Sequence, residues 1–139
     1  MDVKMDAAAL GAFLRSDFPQ VGSAFVVEDV EPMALSVRFA PEEQHLRPGG
    51  TVSGPSMFAL ADVGVYLAVL SMLGPVALAV TTNCSIDFMR KPSAGVDLIA
   101  KVRLLKLGRL LAVGDVMMYS DGTDQPVARA SLTYAIPPT

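Results

Sequence analysis

The stretch "GTVSGPSMFALADVGVYLAVL", Gly50–Leu70, decides how this chain folds. It is apolar almost throughout, yet one ionisable group, Asp62, stands in its middle. Pro55 suits the first turn of a helix, where its missing N–H has no partner to lose. Gly74 supplies a stop. The spacing predicts a helix over Pro55–Leu73 that is apolar on every side, the pattern of a helix buried all round. A membrane span is the competing reading, because Pro55–Val80 is long enough to cross a bilayer. Asp62, the break at Gly74-Pro75 and the remoteness of the basic flanks Arg47 and Arg90 favour the buried helix.

Around this helix the chain reads as one domain over 1–139, a length that can bury a core without staples. Hydrophobic residues make up 52% and charged residues 18%, a globular rather than a disordered balance. The net charge is −3, the basic residues are scattered and Trp is absent. Neither an electrostatic footprint nor a stacking platform for nucleic acid is present. Cys84 and His45 are single, which excludes a disulfide within the chain and a cysteine or histidine metal cluster. The opening "MDVKMDAAALGAFLRSDFPQ" has acidic residues where a signal peptide needs positive charge, so a cytoplasmic protein away from membranes is expected.

Met5–Phe18 reads as a short amphipathic helix. Ala24–Val30 and Met33–Phe39 read as strands around a turn at Glu31-Pro32, followed by a loop over Ala40–Ser53 with its turn at Arg47–Gly50. Beyond the long helix the period becomes two. Val80, Thr82, Cys84, Ile86 and Phe88 fall on one strand face. Strands over Val96–Leu105 and Leu110–Tyr119 follow, with turns at Leu107–Arg109 and Asp121-Gly122. In the last strand Ala130, Leu132, Tyr134 and Ile136 alternate with Arg129, Ser131 and Thr133. Hairpin-connected strands imply an antiparallel sheet, and the apolar helix needs covering. The expectation is an α+β fold with a curved antiparallel sheet wrapped round a long central helix.

A carboxylate in an apolar site is costly unless it is paired or functional. Helical spacing sets Phe58, Ala59, Val65, Tyr66 and Val69 beside Asp62, and none is a cation. Asp62 either pairs with a distant arginine or caps a strand backbone, or it faces a cleft as a base; Tyr66 could donate to it or simply fill a pocket. At the helix start, Ser53 or Gly54 occupies the N-cap region. The uncapped N–H groups there suit a developing oxyanion, and Gly54 allows close approach. Gly54 and Asp62 are eight residues apart, about 12 Å along a helix. One carbonyl cannot touch both. If both act on the same atom they come from two chains related by a two-fold axis.

The segments "GTVSGP" (Gly50–Pro55), "LAD" (Leu60–Asp62), "AVTTNCSIDFMRKPSAG" (Ala79–Gly95) and the closing Gly108–Ile136 resemble, in order and spacing, the PaaI-like branch of the hotdog-fold acyl-CoA thioesterases. The likeness covers about Leu46–Ile136. It implies a hotdog fold, dimerised edge to edge and often paired into tetramers. It also implies hydrolysis of an acyl-CoA thioester, with coenzyme A as part of the substrate and no separate cofactor. Asp62 matches the family base or nucleophile. Gly54 matches the glycine whose N–H polarises the carbonyl from the neighbouring subunit. Ser53 stands at the family histidine, Pro55 at a glycine, Arg47 where Asn or Gln is frequent, and Tyr66 where a small hydroxyl residue is common. Arg90 and Lys91 are candidates for the nucleotide phosphates, and Thr82 and Asn83 for the pantetheine arm. A non-catalytic acyl-CoA-binding protein is the alternative. A hotdog hydratase fits less well, because His45 precedes the helix.

Overall fold

The computed structural model describes residues 2–138. Helix α1 spans Ala7–Asp17, with the Asp6 side chain accepting from the Ala9 N–H at its start. Strands β1 (Phe25–Glu31) and β2 (Ala34–Phe39) precede helix α2 (Gly54–Leu73). Strands β3 (Val80–Phe88), β4 (Leu98–Leu107), β5 (Leu111–Ser120) and β6 (Pro126–Ala135) follow. All pairings are antiparallel, in the order β1-β2-β4-β5-β6-β3. Thus β3, which follows α2 in the chain, crosses to the far edge beside β6.

Helix α2 contacts five of the six strands, β2 to β6, which requires the sheet to curl around it. Leu60, Val65, Leu67, Val69 and Leu70 are fully buried in that embrace. By length and composition α2 could cross a membrane, but 72% of its apolar window is buried inside the fold. It is the core helix. Two glycines let it lie close to the sheet. A Cβ on Gly64 would meet Val102 Cγ2 at 2.9 Å, and one on Gly114 of β5 would meet Val65 Cγ2 at 2.8 Å. Removing side chains at these two places brings backbone and sheet into contact.

Two local features differ from expectation. The β1–β2 turn centres on Pro32-Met33 rather than Glu31-Pro32, and Met33 takes a left-handed φ of 64°. Two contacts hold this unusual conformation: the Met33 N–H reaches Met72 Sδ at 3.3 Å and its carbonyl accepts from the Leu104 N–H at 2.8 Å. In β3 the register shifts between Thr81 and Asn83. Thr82 is the extra residue of a β-bulge, and a bulge reverses the alternation beyond it. Thr81, Cys84 and Ile86 therefore turn inward, whereas Thr82 and Asn83 are exposed. The even alternation expected from Val80 to Phe88 does not hold.

Candidate active site

Asp62 lies midway along α2 and is half-buried. The bulge and the β3–β6 register place Thr81 directly opposite Tyr134, and both hydroxyls reach the carboxylate. Tyr134 Oη donates to Asp62 Oδ1 at 2.6 Å and lies 3.0 Å from the Asp62 carbonyl oxygen. Thr81 Oγ1 donates to the same Oδ1 at 2.5 Å. Oδ2 receives no hydrogen bond, and no salt bridge reaches Asp62 among the described residues. A distant arginine, one of the partners left open by the sequence, is therefore not what holds Asp62 among the described residues. Burial, then the bond to Asp62, pushes the Tyr134 phenol well above its ordinary range, so it remains a donor. Burial and the Asp62 charge likewise raise the Cys84 thiol, which disfavours the thiolate.

The start of α2 forms the second locus. Ser53 is the N-cap: its Oγ accepts from the Ser56 N–H at 3.4 Å, and its carbonyl accepts from the Met57 N–H at 3.0 Å. Pro55 has no N–H. The Gly54 N–H is consequently the one donor of the first turn left without an acceptor among the described residues. Gly54 itself lines a cavity of about 390 Å³ together with Arg47, Thr51, Phe88, Arg90 and Lys91, with Met57 and Met89 also on its wall. The Phe88 ring lies against Gly54, 3.5 Å from where a Cβ would stand. Arg90 is anchored through its guanidinium to the Pro126 carbonyl at 2.9 Å. The cavity gathers three cations around a free N–H, a setting that favours an anionic or polarised ligand.

Four of the nominated residues, Arg47, Gly54, Arg90 and Lys91, thus line one cavity, and Ser53 caps the helix beside them. Tyr66 is placed differently. Its ring is buried between Phe13, Phe18 and Tyr134, and its hydroxyl donates to the Ala77 carbonyl at 3.0 Å rather than to Asp62. Thr82 donates to the Thr133 carbonyl on the exposed strand, and Asn83 is exposed beside it, away from the carboxylate of their own chain. His45 accepts from the Glu42 N–H through Nδ1 and packs edge-on against Phe39. The two hydroxyls that hold Asp62, those of Thr81 and Tyr134, are not legible as site residues in the sequence. The only signal for Tyr134 is a hydroxyl on the core-facing side of the last strand.

The thioesterase superfamily model matches residues 49–127. A Pseudomonas aeruginosa protein provisionally named an esterase is 30% identical over 117 residues, 84% of this chain and 85% of that relative. A solved structure from a Silicibacter species, provisionally named a thioesterase, is 55% identical, covers 99% of this chain and 96% of its own, and superposes with a TM-score of 0.92. A variant of the phenylacetic acid degradation protein PaaI from Thermus thermophilus is 28% identical over 91% of this chain and 99% of its own, with a TM-score of 0.71. The wrapped central helix, the order of the motifs and these likenesses agree: the chain belongs to the thioesterase superfamily, with the hotdog fold of its PaaI-like members.

Proposed function

We propose that the protein hydrolyses an acyl-CoA thioester at a site shared by two copies of the chain. The observation that carries this reading is the pair of half-sites on α2. The free Gly54 N–H sits at the helix start among Arg47, Arg90 and Lys91, and the Oδ2 edge of Asp62 receives no hydrogen bond two turns on. About 12 Å of helix separates them, so one thioester meets Gly54 of one chain and Asp62 of another. Among the described residues the outer edge of β3 has no strand partner, and Val80 and Phe88 along it are 56% and 53% exposed. An open edge of this kind invites pairing with a second copy, which supports a homodimer; pairing of dimers into a tetramer follows the family resemblance.

In this scheme the Gly54 N–H stabilises the oxygen of the thioester carbonyl as it becomes negative. Asp62 Oδ2 takes a proton from an attacking water, or itself attacks to give an anhydride that water opens. The carbon–sulfur bond breaks, the sulfur leaves as CoA thiolate and is protonated, and the acid is released. Pro55 in place of a family glycine removes a competing N–H and leaves Gly54 as donor.

Subunit mixing tests the shared site. Asp62→Asn and Gly54→Val are each expected to be inactive as homodimers. Mixed by refolding in equal amounts, half the dimers carry one chain of each kind, and one of their two sites is fully wild type. About a quarter of the wild-type rate of CoA release should return. No return on mixing would overturn the two-chain site, and binding of acyl-CoA by the wild type with no release would favour the non-catalytic alternative. The cations have their own signature. Arg90→Ala with Lys91→Ala should raise KM for acyl-CoA about tenfold with little change in kcat, because charge-assisted contacts to phosphate are lost. Acyl-pantetheine, which lacks the nucleotide, should be insensitive to the same change. Equal KM effects on both substrates would remove these residues from phosphate recognition.

A further inference from the structure

We propose that Tyr134 is a positioning residue for Asp62: its phenol ties Oδ1 to β6 and leaves Oδ2 as the working oxygen. The inference rests on Asp62 being the reacting group. Tyr134 Oη stands 2.6 Å from Oδ1 and 3.0 Å from the carbonyl oxygen of the same residue. One hydroxyl therefore spans the side chain and the backbone of Asp62, which restricts the rotation of its carboxylate about the helix. The phenol is itself rigid. Tyr134 is 3% exposed, its ring packs against Tyr66 at 6.2 Å, and its backbone is fixed by pairing on both sides, to β3 and to β5.

Oδ1 accepts from both Tyr134 and Thr81, which occupies its two lone pairs. The oxygen that can take a proton or attack a carbon is Oδ2.

A residue that only filled the core would be replaced without loss by phenylalanine, which has the same ring. The test is acyl-CoA hydrolysis by the full-length wild type and Tyr134→Phe, beside the carbon-13 resonance of the Asp62 carboxyl at one fixed pH. In the variant kcat is expected to fall about tenfold while KM stays constant, and the carboxyl resonance should move as it loses a donor. An unchanged kcat and resonance, with only the melting temperature lowered, would overturn the proposal. Should Tyr134→Phe fail to fold, 3-fluorotyrosine at position 134 is a stronger donor of the same shape and should move the resonance; no movement would again overturn it. A resonance that moves in a protein releasing no CoA would leave the role of Tyr134 standing and remove the thioesterase reading instead.

Discussion

Asp62→Asn should lower kcat for CoA release by about 10²–10⁴-fold, the range that a positioned base or nucleophile supplies. The substitution is informative because it changes little else. The amide oxygen can still accept from Tyr134 and Thr81, which now meet at Oδ1. Size and shape are preserved on a helix that contacts five strands. The fold should therefore survive, and KM should change much less than kcat, because the carboxylate acts on the reacting carbon rather than on the CoA handle. The measurement is thiol release from a panel of acyl-CoA esters, with a thermal melt on the same preparations. A variant as active as wild type would place the chemistry elsewhere on the molecule.

The second large effect is on stability. Gly114→Ala should destabilise the fold by about 1–3 kcal/mol, the usual cost of overpacking a tight core. The new Cβ would stand 2.8 and 2.9 Å from the two Cγ atoms of Val65, which is itself fully buried. A β-branched side chain in a helix has essentially one rotamer, so Val65 cannot swing aside. Either α2 lifts from β5 or the sheet bends. At this chain length the loss corresponds to a fall in Tm of about 3–12 °C at fixed protein concentration. The double variant Gly114→Ala with Val65→Ala should be more stable than the sum of its parts, because the second change relieves the clash made by the first. Strict additivity would show that the close approach of helix and sheet is not what Gly114 provides.

The sequence is most readable where local chemistry and global packing say the same thing. Helix α2 was expected over Pro55–Leu73 and runs Gly54–Leu73, since proline at its start, glycine at its end and an all-apolar interior each point to one buried helix. The β4–β5 hairpin is equally plain from its alternation and the turn at Gly108. Sheet order is less so. Nothing in the letters of β3 announces that it leaves its neighbour in sequence and pairs with β6, because strand order is decided by the crossover behind the helix. The bulge at Thr82 has no glycine or proline to mark it. Since Thr81 faces Asp62 only because of that bulge, its hydroxyl is hidden in the sequence, whereas Thr82 and Asn83, the candidates for the pantetheine arm, lie on the exposed side of the strand. Tyr66 is a related case: one helical turn places it near Asp62 in sequence, but its ring fills the core and its hydroxyl is drawn to Ala77. The Gly54 end was more legible, because a helix start and two cations at a strand end are local features.

The bulge also bears on how this protein is compared with its kin. Aligning sequences position by position assumes that matched residues look the same way. Across Thr82 that assumption holds only for a relative that carries the same bulge. A relative that lost a single residue there would keep every motif on the helix, yet would present a different side chain to its carboxylate. Insertions and deletions in this strand, rather than substitutions on the helix, are thus a route by which such sites diverge during evolution, and roles along β3 are transferable between members only after the bulge has been counted.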